Sequence, residues 1–224
     1  MKKSFIATAI LSLCITATFA QSTPSPKPAY WDDVQVIKKY DGMFAAPKNP
    51  LLFVGSSSIR KWDDAQWAFA PYNALNRGIG GAETNDIIYW LNDLVFKYKP
   101  KQLVIYVGEN DMVDGKAPAT ADTVYSRTMK LYAGIRAQLP TVPIIYIGMK
   151  PSPSRVKIMP EELKFNQMMK DFIAKEKNIV FVDVYPLMLD NGKLRPELYL
   201  GDNLHMKQLG YDIWEKAIRP YLIK

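Results

Sequence analysis

The sequence predicts a three-layer α/β/α domain wound around a five-stranded parallel sheet. Three observations predict it. Short unbroken apolar runs recur along the chain, and a run without alternation suits a strand buried on both faces. Longer stretches with apolar residues at helical spacing separate these runs. Several runs give way abruptly to glycine and small polar residues, the composition of a turn at a strand's carboxyl end. Five strands alternating with helices fit the smaller doubly wound, flavodoxin-like sheets, in which ligands bind beyond the carboxyl ends of strands.

The chain does not begin with fold. Lys2 and Lys3 form a charged start, residues 5–19 are apolar, and Thr18-Phe19-Ala20 offers a small-x-small site before Gln21. Residues 1–20 therefore read as a cleavable secretory signal; the apolar stretch is short for a membrane anchor and ends at small residues. Cys14, the only cysteine, follows Leu13 and not a small residue, against lipoprotein processing. Cleavage after Ala20 leaves no cysteine for a disulfide, a thiolate metal site or a nucleophile. The expected location is the periplasm or the medium of a bacterium. Residues 21–28 are a polar, proline-rich leader, and residues 29–224 are expected to form one domain, large enough to bury its own core. Without Lys2 and Lys3 the formal charge falls from +7 to about +5. The basic residues are scattered, which describes a solvated surface and not a nucleic-acid footprint.

Residues 51–54 are the first strand, and Ile59, Trp62 and Trp67 mark a helix behind it. Residues 72–76 form a weaker second strand. Residues 103–107, 144–147 and 179–182 complete the sheet. Between them, Ile87, Ile88, Leu91, Leu94 and Val95 form one apolar face. Met129, Tyr132, Ile135 and Leu139 form a second, and Leu163, Phe165, Met168, Met169 and Phe172 a third, with Pro160 and the pair Glu161-Glu162 at its start. Leu209, Ile213, Trp214, Ala217 and Ile218 mark the last helix.

The polar clusters after the strands share one edge of this sheet. They are Gly55-Ser56-Ser57-Ser58, Asn76-Arg77-Gly78-Ile79-Gly80-Gly81, Gly108-Glu109-Asn110-Asp111 and, before the last helix, Asp202-Asn203-Leu204-His205. Taken alone, the serines admit three readings: a helix N-cap, a cradle for a phosphate or flavin phosphate, or a nucleophile. His205, the only histidine, reads either as a structural residue or as a base. Asp202, three residues earlier, can fold back to hold one imidazole nitrogen while the other faces a serine. Asn110 is a turn residue or an amide donor; Gly81 is a kink or an unobstructed N–H.

Together these four blocks resemble the SGNH hydrolase superfamily, the GDSL-type esterases and lipases. Gly55-Ser56-Ser57-Ser58 matches its Gly-Asp-Ser-Leu block, which places the nucleophile at Ser57. Gly-Ile-Gly-Gly resembles the branch containing the platelet-activating-factor acetylhydrolase catalytic subunits, and implies Gly81, or its neighbour Gly80, as an oxyanion donor. Gly108-Glu109-Asn110-Asp111 matches Gly-x-Asn-Asp, with Asn110 as a further donor, and Asp202-Asn203-Leu204-His205 matches Asp-x-x-His. The resemblance runs from about residue 51 to the C-terminus. Ser56 stands where the name motif has Asp. The α/β-hydrolase elbow Gly-x-Ser-x-Gly fits worse, because Ile59 occupies its second glycine.

The resemblance implies a serine esterase needing no metal or organic cofactor. Export and the lack of an evident apolar lid favour short acyl groups, acetyl above all, on carbohydrate or glycan. Lysophospholipids and thioesters are the alternative substrates; a non-catalytic phosphate-, flavin- or glycan-binding domain is the alternative class. Trp62, Trp67, Trp90 and Tyr199 are either sugar platforms or core. Arg155, in the turn beyond the fourth strand, either binds an anionic substrate or closes a structural salt bridge.

Overall fold

The computed structural model describes residues 26–113 and 119–223. The expected signal segment, residues 1–20, lies outside the described residues, as does most of the proline-rich leader. The main elements are α1 (Trp31–Met43), β1 (Leu51–Gly55), α2 (Ser57–Arg60), α3 (Ala65–Ala68), β2 (Leu75–Gly78), α4 (Thr84–Tyr89), α5 (Leu91–Leu94), β3 (Gln102–Tyr106), α6 (Ala121–Gln138), β4 (Ile144–Ile147), α7 (Met159–Ile173), β5 (Ile179–Val182), a small hairpin of β6 (Leu189–Asp190) and β7 (Lys193–Leu194), and α8 (Gln208–Ile218).

β1 to β5 form one parallel sheet in the order β2-β1-β3-β4-β5. This is the flavodoxin-like order expected from the sequence. The chain reverses direction across the sheet between β1 and β3, the position where such folds open a crevice. Alternate residues feed the two faces. Leu52, Val54, Leu103, Ile105 and Ile144 pack with residues of α4 to α7. Leu51, Phe53, Val104, Tyr106 and Ile145 pack with Ile59, Trp62, Tyr211, Trp214 and Ile218. Trp62 is the hub of the second face, its ring centroid 5.4 Å from Phe53, 5.2 Å from Tyr211 and 5.9 Å from Trp214. The central strands β1, β3 and β4 are buried at every residue, which is why they read as unbroken apolar runs, whereas the edge strand β2 is buried only at Leu75.

Several local expectations shift. The second strand begins at Leu75 and not at residue 72: Ala70–Tyr72 is a 3-10 turn containing Pro71, and Asn73 is left-handed with φ 54°. The helix expected across Ile59, Trp62 and Trp67 is two short pieces, α2 and α3; Trp62 is buried between them and Trp67 is exposed. Ile87, Leu91, Leu94 and Val95 are buried as expected, but on two short helices that meet at Trp90, with Ile88 half-buried. On α6 the buried face is Ala121, Val124, Thr128, Leu131 and Ile135, so Met129, Tyr132 and Leu139 form its flank. Leu163 on α7 and Leu209 on α8 face solvent, while Glu162 and Asn166 turn inward. Helix α1, which no pattern in the sequence announced, packs through Val34 on the face of α4 and α5. Among the described residues no helix is long and apolar enough to cross a membrane.

Candidate active site

The turn after β1 is forced by close approach. Gly55 has φ +148°, and a Cβ there would lie 1.9 Å from the Tyr106 carbonyl oxygen. The chain then starts α2 at Ser57. Ser56 stands at the N-cap position, yet its hydroxyl bonds no helix N–H, so capping does not account for these serines. Ser58 is buried and its carbonyl accepts the Tyr211 hydroxyl at 3.0 Å. Ser57, between them, points its hydroxyl across the sheet edge to the histidine.

His205 arrives from the loop before α8. Asp202 folds that loop back on itself: its Oδ1 accepts the N–H groups of Leu204 at 3.0 Å and His205 at 2.9 Å. Its Oδ2 lies 2.6 Å from His205 Nδ1, and His205 Nε2 lies 2.9 Å from Ser57 Oγ. Partial burial raises the Asp202 carboxyl, but the bonds from the His205 ring and from the His205 and Leu204 N–H groups outweigh it and hold it well below the usual carboxylate range. An ionised Asp202 requires the proton on Nδ1, leaving the Nε2 lone pair for the Ser57 hydroxyl.

The oxyanion candidates converge on the neighbouring strand ends. Residues 79–82 make a tight turn in which Ala82 N–H reaches back to Ile79 O at 3.4 Å and Gly81 takes φ +82°. A left-handed third position calls for glycine. Neither Gly80 nor Gly81 has its N–H bonded among the described residues. Asn110 is buried and gives one amide hydrogen to Ala82 O at 3.1 Å, which ties it to the glycine turn and leaves its second amide hydrogen available. The structure thus brings Ser57, His205 and Asp202 into one hydrogen-bonded line and ties Asn110 to Ala82, at the end of the Gly80-Gly81 turn.

Supporting residues escaped the sequence reading. Asp111 is buried; its Oδ2 accepts Thr84 N–H at 2.9 Å and Thr84 Oγ1–H at 3.1 Å, and its Oδ1 lies 2.6 Å from Arg127 Nη1. It therefore clamps the Asn110 turn to the start of α4. Glu109 is buried as well. It accepts the Tyr106 hydroxyl at 2.5 Å, Lys150 Nζ at 3.1 Å and 3.3 Å, and Ser152 Oγ at 3.2 Å. Burial raises its carboxyl, but Lys150 and these donors prevail and hold it low. Glu162 lies by the same cluster with both oxygens buried and unpartnered, and burial followed by the Glu109 charge pushes it up to about 9. The available signal was a charged residue at each of two adjacent strand ends, Glu109 past β3 and Lys150 past β4. Its neighbour Glu161 accepts Ala121 N–H at 2.6 Å, so it serves the start of α6 and not only its own helix.

Trp62, Trp90 and Tyr199 are buried core, which removes them as sugar platforms; Trp67 alone of the four is exposed. Arg155 lies near Glu109, its Nε 3.8 Å from Oε1, too far for a hydrogen bond.

Residues 54–213 match the family described as GDSL-like Lipase/Acylhydrolase. Platelet-activating factor acetylhydrolase IB subunit alpha2 of Rattus norvegicus is 32% identical over 143 residues, 60% of this chain and 58% of that protein. The match thus spans less than two thirds of that relative's length. The alpha1 subunit of Bos taurus is 26% identical over 218 residues, covering 90% of each chain. A solved GDSL-like lipase from Bacteroides thetaiotaomicron superposes with a TM-score of 0.69 at 22% identity, over 84% of this chain and 96% of that one, a likeness of fold.

Proposed function

From its place in the GDSL-like lipase/acylhydrolase family, to which this chain belongs, we propose a two-step acyl transfer carried by Ser57, His205 and Asp202. Family membership makes the chain a hydrolase acting on esters; the residues, the acyl group and the alcohol are the substance of the proposal. The observation that carries it is the unbroken line from Asp202 Oδ2 through the imidazole to Ser57 Oγ, at 2.6 Å and 2.9 Å.

Ser57 Oγ attacks the ester carbonyl while His205 Nε2 takes its proton. Asp202 holds the ring and balances the imidazolium. The N–H groups of Ser57 and Gly81 and the free amide hydrogen of Asn110 receive the developing oxyanion. The tetrahedral intermediate collapses, the C–O bond to the alcohol breaks, and His205 returns its proton to the departing oxygen. Water then enters by the same relay, with His205 as base, and releases the carboxylic acid.

The acyl group is proposed to be short, acetyl first. Support comes from the relatives, which are named acetylhydrolases. The alcohol is proposed to be carbohydrate or glycan, met outside the cytoplasm after removal of residues 1–20. The test is the purified protein on acetylated sugars, p-nitrophenyl esters of rising chain length and lysolipids, beside Ser57→Ala. Acetyl esters should give the highest kcat/KM, and Ser57→Ala should be inert. Faster turnover of octanoyl esters or lysolipids would overturn the substrate reading; turnover by Ser57→Ala would overturn the residue assignment.

A further inference from the structure

Beyond the carboxyl ends of β3 and β4 lies a cleft of about 550 Å³, walled on one side by Met112 and Val113 and on the other by the turn Pro153–Ile158. It is bonded to the site from two directions. Met112 follows the oxyanion candidate Asn110 by two residues. Ser154 N–H donates to the carbonyl of Asn203 at 3.0 Å, between Asp202 and His205. A ligand in this cleft therefore adjoins the turns that present Asn110 and His205.

The cleft's main polar feature is Arg155. Its side chain is 17% exposed, and its guanidinium makes no hydrogen bond among the described residues; Nε is buried without a partner. Glu109, the nearest carboxylate, is 3.8 Å away and already holds three closer donors in Tyr106, Lys150 and Ser152. The other buried carboxyl, Glu162, accepts no hydrogen bond from Arg155 or any other described donor. Lys150 hydrogen-bonds Glu109, whereas Arg155 pairs with it only at 3.8 Å and donates no hydrogen bond to it. Arg155 lines the cleft wall with its hydrogen-bonding capacity unspent, and Lys157 is exposed on the same turn. The Nε–H of Arg155 is buried with no acceptor, so a ligand acceptor that reached it would satisfy a donor that the protein leaves unpaired. The planar fork of the guanidinium suits a carboxylate or a phosphate.

We propose that this cleft receives the alcohol part of the ester and that Arg155, assisted by Lys157, selects alcohols bearing a carboxylate or phosphate. The inference rests on the acyl-transfer reading above and adds a substrate class to it. Arg155 is a specificity residue, apart from the proton relay.

The test uses three acetates of one shape: 4-acetoxybenzamide, which is neutral, 4-acetoxybenzoate and 4-acetoxyphenyl phosphate. The wild type should favour one or both anionic esters, and the larger ratio tells carboxylate from phosphate recognition. Arg155→Gln should cut kcat/KM on the favoured anion by about tenfold or more and leave the benzamide within about twofold. Lys157→Gln, at an exposed site, should cut the anionic ratio by a smaller factor. In the wild type, 4-hydroxybenzoate should inhibit benzamide hydrolysis at lower concentration than 4-hydroxybenzamide; this holds even where Arg155→Gln does not fold. Equal losses on neutral and anionic esters would make Arg155 a structural partner of Glu109 and overturn the inference, as would unchanged ratios in both variants or equal inhibition by the two phenols. If Ser57→Ala hydrolysed all three acetates at the wild-type rate, the acyl-transfer reading itself would fall, and this inference with it.

Discussion

Two polar clusters stand side by side at the carboxyl edge of the sheet, and they are built on opposite principles. In one, Asp202 is bound by groups two and three residues away on its own loop, and its side chain is 45% exposed. In the other, Glu109 is bound by Lys150 and Ser152 from the next strand end, and its side chain is 5% exposed. The first cluster leaves a lone pair and a hydroxyl facing outward. The second saturates one carboxylate completely and buries another, Glu162, with nothing bonded to it. Reactivity follows from the unsatisfied member of an open cluster; rigidity follows from the satisfied member of a closed one. The two meet at Asn110, whose backbone continues from Glu109 and whose amide is offered to the open site.

The largest effects should come from breaking the open cluster. Ser57→Ala and His205→Ala should each lower kcat by a factor on the order of 10⁴ or more, and the double variant should be little worse than either, because the relay acts as a unit. Their melting temperatures should stay near the wild type, since neither side chain fills the core. Ser56→Ala and Ser58→Ala should keep substantial activity. An organophosphonate should label Ser57 and fail on Ser57→Ala. Label on another residue would reassign the nucleophile.

Asn110→Ala probes the seam between the clusters. It should cost a factor on the order of 10²–10³ in kcat with little change in KM, the usual loss for one oxyanion donor. Steady-state kinetics decide it: a rise in KM alone would make Asn110 a ground-state contact.

Lys150→Met attacks the closed cluster and should invert the pattern. It leaves the buried Glu109 with Arg155, 3.8 Å away, as its one remaining described cation; breaking a buried pair costs up to about 3–5 kcal/mol. Denaturant unfolding should show that loss. Adding Glu109→Gln should recover part of it, because removing both charges is far milder than removing one. Full activity loss in Lys150→Met with unchanged stability would contradict the division drawn between the two clusters.

The same contrast explains what the sequence disclosed. Asp202 and His205 were legible because their geometry closes within four residues. The edge that carries Ser57, Gly81 and Asn110 was legible because parallel strands deliver their carboxyl ends to one side; which residue of each block acts was implied only by the family resemblance. The central strands were legible because they are buried on both faces, and the edge strand β2 was less so because it is half-exposed. What was hidden depends on distant partners. Lys150 and Glu109 are 41 residues apart, and no local pattern announces their pairing. Glu162 read as an ordinary acid in a helix's first turn, whereas tertiary packing turns it inward. Leu163 and Leu209 read as core because periodicity cannot distinguish the centre of an apolar face from its margin. Trp62 and Trp67 read as one helix, but a turn through Asp63 and Asp64 separates α2 from α3 and lets Trp62 dock on Phe53 and Tyr211.

The smallest expected effect is the most specific to the closed cluster. Glu162 has its carboxyl pushed up to about 9 in the folded protein, by burial first and by the Glu109 charge second. In the unfolded chain it ionises near the ordinary glutamate value of about 4.3. Between these two values the folded state holds a proton that the unfolded state releases, so stability must fall as pH rises through that window. The contribution is fully present below about pH 4 and is gone above about pH 9. Glu162→Gln keeps the shape and removes the titration. Its melting temperature should therefore be less sensitive to pH between about 5 and 9 than that of the wild type, with the variant the more stable of the two at the alkaline end. Activity at pH 7 should be nearly unchanged, because the wild-type carboxyl is neutral there and the amide replaces it without a new charge. Asp202 works in the opposite sense: its lowered carboxyl contributes stability above the unfolded value of about 3.9, lost only in strong acid. The two glutamate and aspartate sites thus act at opposite ends of the pH scale. Thermal melts of Glu162→Gln across pH 5 to 9 should isolate the buried one; a slope identical to the wild type would mean that Glu162 is ionised and paired after all.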